Sequence, residues 1–246
     1  MTRVAIDVRG PSGPIRCVVA APDDGAPAPA VLFYSDIFQL TGPHLRLAER
    51  LASRGYRVLA PEIYGRFEPP GTALEFERDR QRALDDSMRV RVEDVDGDRQ
   101  ALLDYLATRA DVDPSRIFAA GFCFGGHLAF RAAYEPRVRA VACFYPTTVH
   151  ADRLGASENV DTLRAASRLR APLLLVWGGR DPHIPAEGRT KIHTALDRAG
   201  AVYETRIFDA EHAFMRDEGP RFDPAATDAA FETMLTFFQK AGSRGQ

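Results

Sequence analysis

The feature that most restricts what this chain can fold into is a repeated change of hydrophobic period. Short apolar runs suited to buried strands alternate with longer stretches whose apolar residues recur every three or four positions. Two N-terminal strands, VAIDV and IRCVVAA, meet at the turn Gly10-Pro11-Ser12-Gly13, and a Pro- and Ala-rich loop, PDDGAPAPA, follows. AVLFYS (30–35) reads as a buried parallel strand, LRLAERLASRG as a helix and YRVLAPEIY as a second buried strand. From Gly71 to Arg109 the pattern turns helical and highly charged, and Asp113-Pro114 makes a turn before strand RIFAAG. Helix LAFRAAY, strands VRAVACFY and PLLLVWGG, helix AEGRTKIHTALDRAG, strand VYETRIF and the amphipathic ATDAAFETMLTFFQKAG complete the chain. Such alternation predicts a doubly wound, mainly parallel α/β sheet with helices on both faces. With no internal repeat or long linker, residues 1–246 read as a single domain. The polar segment 146–171 lacks a clear period and is open to being a lid, an excursion helix or disorder.

Composition matters mainly for what it excludes. A formal charge of -2 with no basic stripe argues against a nucleic-acid partner. The N-terminus lacks the basic flank and apolar core of a secretory signal, and no run approaches the roughly 18 apolar residues of a membrane span. Three cysteines, Cys17, Cys123 and Cys143, form no C-x-x-C pair, which suits a reducing, cytoplasmic setting. Cys17 and Cys143 lie in apolar strand-like runs and read as small core residues. Nothing distinguishes a monomer from a homodimer.

The strongest local signal is RIFAAGFCFGGHLAF (116–130), an apolar strand running through Gly121-Phe122-Cys123-Phe124-Gly125-Gly126 directly into a helix. This is the pattern of a nucleophile elbow with cysteine in place of serine. The sharp turn brings strand and helix backbones together, so small residues are needed two places on either side of the nucleophile, and Gly121 and Gly125 supply them. The turn also sets Cys123 at a helix N-terminus, where unpaired N–H groups favour a thiolate and a developing oxyanion. Alternatively, the glycines merely pack a strand on a helix or receive a phosphate.

A thiol needs a base. Of six histidines, His127, His150, His183, His193 and His212 follow the nucleophile, as chain order in this arrangement requires. His212 is preferred because it opens the loop after strand VYETRIF. His193 lies within a helix, His127 sits on the helix body as a structural residue, and His183 can line the pocket. The acid that orients the imidazole belongs at the end of a buried strand, which selects Asp181 after LLLVWGGR. A simple Asp-Pro turn is the alternative there, with Asp209 in reserve.

These segments resemble the dienelactone hydrolase (carboxymethylenebutenolidase) family, of the α/β-hydrolase superfamily, over essentially the whole chain. Beyond the elbow, the Gly-Gly-Arg-Asp and Glu-His-Ala-Phe segments, the similarity includes Ser-Asp-Ile-Phe at 35–38, Pro-Glu-Ile-Tyr at 61–64 and Pro-Gly-Thr-Ala-Leu at 70–74. The resemblance implies an α/β-hydrolase fold, a Cys123–His212–Asp181 triad, and an oxyanion site made by the backbone N–H groups of Phe124 and Ile37. It places Asp36 where the family has a thiol-modulating glutamate, a side chain one methylene longer. It assigns carboxylate recognition to Arg82 and Arg216, with Arg80 the neighbour that competes with Arg82 for the role. Just beyond, Asp85, Asp86 and Arg89 replace aromatic residues, which implies a more polar pocket than the family type.

The expected activity is therefore cysteine-dependent hydrolysis of a small, carboxylate-bearing ester or lactone, with no metal or organic cofactor implied. The alternative from another class is a catalytically weak binding protein that holds a small carboxylate in the same cleft, for which Asp36 is the best support. A redox-sensing thiol ranks last because no resolving cysteine is apparent.

Overall fold

A computed structural model of the protein describes residues 1–23 and 25–243; Asp24, in the Pro- and Ala-rich loop, and positions 244–246 lie outside the described residues. Ten strands and six helices follow one another as β1 (Thr2–Gly10), β2 (Gly13–Ala21), β3 (Ala28–Tyr34), α1 (Gly42–Ala52), β4 (Arg57–Pro61), α2 (Arg80–Ser87), α3 (Val92–Thr108), β5 (Val112–Phe122), α4 (Phe124–Ala132), β6 (Val138–Phe144), β7 (Arg153–Leu154), β8 (Ser157–Glu158), β9 (Leu173–Gly178), α5 (Ala186–Arg198), β10 (Tyr203–Phe208) and α6 (Pro224–Ser243). Eight strands form one sheet in the order β1-β2-β4-β3-β5-β6-β9-β10. All neighbours from β4 to β10 are parallel, while β1, β2 and β4 pair antiparallel at one edge.

The central strands carry apolar side chains on both faces because helices cover both. Stacked Phe118–Phe238 rings, with centroids 4.6 Å apart, join β5 to α6, whereas α3 and α4 pack together elsewhere on the sheet. The predicted α/β architecture thus holds, with two local differences. Residues 71–79, expected to be helical, are irregular backbone and turns, and helix begins only at Arg80. Gly71 has φ +80°, and the Asp79 carboxylate accepts the Glu75 N–H, so local side-chain bonding supplies a turn in place of the helical ladder. The segment 146–171 is neither a helix nor a detached loop. It holds two 3-10 turns (Val149–Ala151 and Ala166–Arg168) and the small β7–β8 ladder, with Val149, Leu154 and Thr162 fully buried.

Strand order decides where a site can form. β3 continues through α1 to β4 on one side while its other neighbour, β5, continues through α4 to β6 on the opposite side, so a crevice opens beyond the carboxyl ends of β3 and β5. The loop after β3 holds Asp36 and Ile37; the residue after β5 is Cys123.

Candidate active site

Cys123 occupies the single residue between β5 and α4, with φ 55° and ψ -118°. A non-glycine residue in such a conformation costs about 1–3 kcal/mol and is held by its surroundings. Its N–H is bonded to the Phe144 carbonyl at 3.0 Å, and its carbonyl accepts from Gly126 at 3.0 Å and Thr147 at 3.1 Å. The flanking glycines are required by contact. A Cβ on Gly121 would stand 2.0 Å from the Gly125 carbonyl oxygen, and one on Gly125 would stand 1.9 Å from that of Ser35.

His212 follows β10, in a loop that crosses the end of β9. That crossing depends on Gly178, where a Cβ would lie 2.7 Å from the carbonyl oxygens of both Ala210 and Glu211. Nδ1 of His212 lies 2.7 Å from Oδ2 of Asp181. The other Asp181 oxygen accepts the His183 N–H at 2.8 Å. The turn contact and the imidazole contact therefore coexist: one carboxylate oxygen shapes the Asp-Pro-His turn and the other meets the His212 ring. Burial opposes protonation of His212, but the negative charge of an ionised Cys123 and the hydrogen bonds with Asp181 and Cys123 outweigh it and lift the imidazole to about 10. Burial likewise opposes ionisation of Asp181, and the His212 hydrogen bond and charge overcome it, so its carboxyl is held below the usual range. Asp209, the reserve acid, is exposed and ion-paired with Arg180.

The remaining histidines separate clearly. His183 sets its ring edge-on to His212, with centroids 4.7 Å apart, and lines the cleft together with His150. His193 packs on Trp177 and Tyr203. His127, fully buried in α4, lies 3.2 Å from Thr148 Oγ1 through Nδ1 and 2.9 Å from Thr162 Oγ1 through Nε2. Burial, aided by the Arg131 charge, pushes it down to about 3, so it is a neutral structural partner.

Asp36 is buried. Its Oδ1 accepts the Phe38 N–H at 2.8 Å, while Oδ2 lies 3.9 Å from both His44 Nε2 and Arg216 Nη1. Among the described residues it makes no hydrogen bond to the Cys123 sulfur; its grip is on the loop that presents Ile37. The amides of Ile37 and Phe124 have no backbone acceptor among the described residues, and both residues line the cleft.

The cleft above Cys123 has a volume of about 520 Å³, within the range of ligand pockets. The two expected arginines part company here. Arg216 lines the cleft and lies 3.8 Å over the Phe76 ring, with its buried Nε unpartnered among the described residues. Arg82 instead points away and makes a two-pronged ion pair with Glu68, its Nε 2.8 Å from Oε1. Arg80, two residues earlier on the other side of α2, lines the cleft and has no ion pair among the described residues. The expected polar wall is corrected in the same way. Asp86 turns toward Arg89, 3.2 Å away, Arg89 covers the Phe67 ring, and Asp85 bonds Gln81. The helical period of α2 brings Leu84 and Met88 to the cleft in their place. Arg221, Arg153 and Thr147 also line it. Sequence reasoning missed these residues; no local motif marks them, because their proximity to Cys123 is created by chain crossings.

The dienelactone hydrolase family profile matches residues 15–242. A Saccharomyces cerevisiae protein called "Putative carboxymethylenebutenolidase" is 35% identical over 219 residues, covering 86% of this chain and 80% of its own. An Escherichia coli K12 protein of the same name is 30% identical over 224 residues, covering 89% and 79%. Among solved structures, a "Putative Dienelactone Hydrolase" from Klebsiella pneumoniae superposes with a TM-score of 0.84 at 25% identity, covering 98% of this chain and 100% of its own. With that match spanning nearly the whole chain and the sheet and elbow as described, this chain belongs to the dienelactone hydrolase family, a family of hydrolases built on the α/β-hydrolase fold.

Proposed function

We propose that the protein hydrolyses small carboxylate-bearing esters or lactones, with Cys123 as nucleophile, His212 as proton carrier and Asp181 as its orienting acid. The observation that carries this reading is the 2.7 Å contact of His212 Nδ1 with Asp181 beside a cysteine at the tip of a strained strand-to-helix turn. His212 takes the Cys123 thiol proton, which gives a thiolate–imidazolium pair. The sulfur attacks the carbonyl carbon, a C–S bond forms, and the carbonyl electron pair moves to oxygen. The Phe124 and Ile37 N–H groups receive that oxyanion, each donor supplying a factor of about 100 to 1,000 in rate. Collapse breaks the ester C–O bond as His212 gives its proton to the leaving alkoxide; in a lactone that alcohol stays tethered. His212 then takes a proton from water as the water oxygen attacks the thioester carbonyl. Breaking the C–S bond releases the acid and restores the thiolate–imidazolium pair.

Of the four arginines that line the cleft, Arg80, Arg153, Arg216 and Arg221, we assign Arg216 and Arg80 to a substrate carboxylate; Arg82, committed to Glu68, does not line it. Asp36 serves by closing the turn with Phe38 that presents the Ile37 amide. Three free cysteines suit a reducing compartment such as the cytoplasm, and no helix among the described residues is long and apolar enough to cross a membrane.

The test compares wild-type protein with Cys123→Ala on small lactones and aryl esters, with and without a carboxylate. Turnover by wild type alone, fastest on the acidic substrates, is the expected result. Turnover retained by Cys123→Ala refutes the triad. Carboxylate binding without turnover on any substrate favours a binding protein.

A further inference from the structure

We infer that the Thr147 hydroxyl donates a hydrogen bond to the Cys123 thiolate and is a second polar partner of the nucleophile besides His212. This rests on the reading of Cys123 as nucleophile. A thiolate withdrawn from water needs donors, and the family resemblance leads one to look for help at position 36. In this chain that side chain is engaged by Phe38 N–H and lies near His44 and Arg216, and it makes no hydrogen bond to the sulfur among the described residues. Thr147 Oγ1 lies 4.0 Å from Sγ, at the outer limit for a sulfur hydrogen bond. Contraction of that contact is expected when the sulfur carries full charge, because charge-assisted bonds are shorter and stronger than neutral ones.

The placement of Thr147 is built, not incidental. Its N–H donates to the Cys123 carbonyl at 3.1 Å, so backbone and side chain both address the nucleophile. The next residue, Thr148, adopts φ 61° and sets its hydroxyl 3.2 Å from His127 Nδ1. His127 stands one turn along α4 from Cys123, and its far nitrogen meets Thr162. Thr162 in turn accepts from Arg131 at 3.0 Å, and its carbonyl accepts the Tyr134 hydroxyl. The helix that begins at the nucleophile therefore fastens segment 146–171 as a fixed wall whose first hydroxyl reaches the sulfur. The buried histidine of the elbow motif is thus one of the residues that hold the segment carrying Thr147.

Nearest the sulfur are His212 with Asp181 behind it, Asp36, Arg216 and the phenols of Tyr64 and Tyr145, and His183 lies edge-on to His212 on the same cleft wall. Only the hydroxyl changes in the test. Iodoacetamide alkylation of Cys123 is followed by mass spectrometry between about pH 5 and pH 9 in wild type, Thr147→Val and Thr147→Ser; reaction rate tracks the thiolate. Loss of a hydrogen bond to a charged group should slow alkylation of Thr147→Val roughly tenfold on the acidic limb and move its pH midpoint upward, with Thr147→Ser within about twofold of wild type. Thermal melting checks the fold, and if Thr147→Val fails to fold, Thr147→Ala removes the hydroxyl without added bulk. A Val or Ala profile that overlays wild type overturns the inference, and so does a Ser variant as slow as Val, which would mark an effect of shape. Ester hydrolysis by the same proteins separates the two claims. Unchanged alkylation with intact hydrolysis rejects the Thr147 role alone, whereas hydrolysis surviving in Cys123→Ala rejects the nucleophile and this inference together.

Discussion

Gly125→Ala is a severe single-methyl test of the elbow. A Cβ at this position would stand 1.9 Å from the Ser35 carbonyl oxygen, 2.6 Å from that of Tyr34 and 2.8 Å from the Tyr34 carbonyl carbon. All three are backbone atoms, so no rotamer change relieves the clash. Restoring a tolerable contact requires the end of β3 and the start of α4 to part by about 1 Å, which a close-packed interior resists. Overpacking of this kind costs about 1–3 kcal/mol, and for a chain of this size roughly 2–4 °C in melting temperature accompanies each kcal/mol. The expected fall is therefore about 2–12 °C. Activity should suffer more than stability. Ser35 leads directly into Asp36 and Ile37, so the movement displaces the Ile37 amide relative to Cys123, and a 1 Å misplacement of reacting groups costs on the order of 100-fold. Thermal denaturation and kcat/KM on a hydrolysed ester measure both effects. Gly65→Ala serves as control, since the nearest atom to its Cβ is 3.8 Å away. A Gly125→Ala protein that melts within about 1 °C of wild type and keeps kcat/KM within about threefold would refute the argument from steric closeness.

Two further predictions concern charge. The His212 imidazole, lifted to about 10 in the folded protein, lies above its unfolded value of about 6.5. Its contribution to stability is thus complete below about pH 6.5 and is lost as pH rises through about 10. Urea midpoints measured across that window should fall toward alkaline pH, and less steeply in Cys123→Ala, which removes the ionised sulfur; parallel slopes in the two proteins would contradict the ion pair. Arg80→Ala should raise KM for a carboxylate-bearing ester about tenfold while Arg82→Ala leaves it within about twofold, as expected if only the former guanidinium meets the substrate. The reverse ranking would show that α2 presents its other side to the ligand.

Much of the fold was legible because burial and period leave direct marks in sequence. Apolar runs such as VRAVACFY and PLLLVWGG have no stable place except a strand covered on both faces, and β6 and β9 are such strands. The turn around Cys123 was legible for a similar reason: closely approaching backbones leave room only for glycine, and the 2.0 Å and 1.9 Å contacts at Gly121 and Gly125 are that requirement in atomic form. The pairing of Asp181 with His212 could be anticipated because parallel strands deliver their C-terminal loops to one edge.

Other features were not carried by local pattern. α2 is so rich in charge that no apolar stripe reveals its orientation, and contacts with Glu68 and Phe67 turn Arg82 and Arg89 away from the cleft while Arg80, Leu84 and Met88 face it. Segment 146–171 has no period because its order comes from long-range hydrogen bonds to His127, Arg131 and Tyr134. By itself, the sequence determined the layered α/β architecture, the tight turn at Cys123 and the meeting of Asp181 with His212 at one edge of the sheet, since each follows from residue size, burial and connectivity. Only the tertiary structure decided which arginine enters the cleft, what Asp36 holds and which hydroxyl approaches the sulfur, because those depend on side-chain directions set by residues distant in the chain.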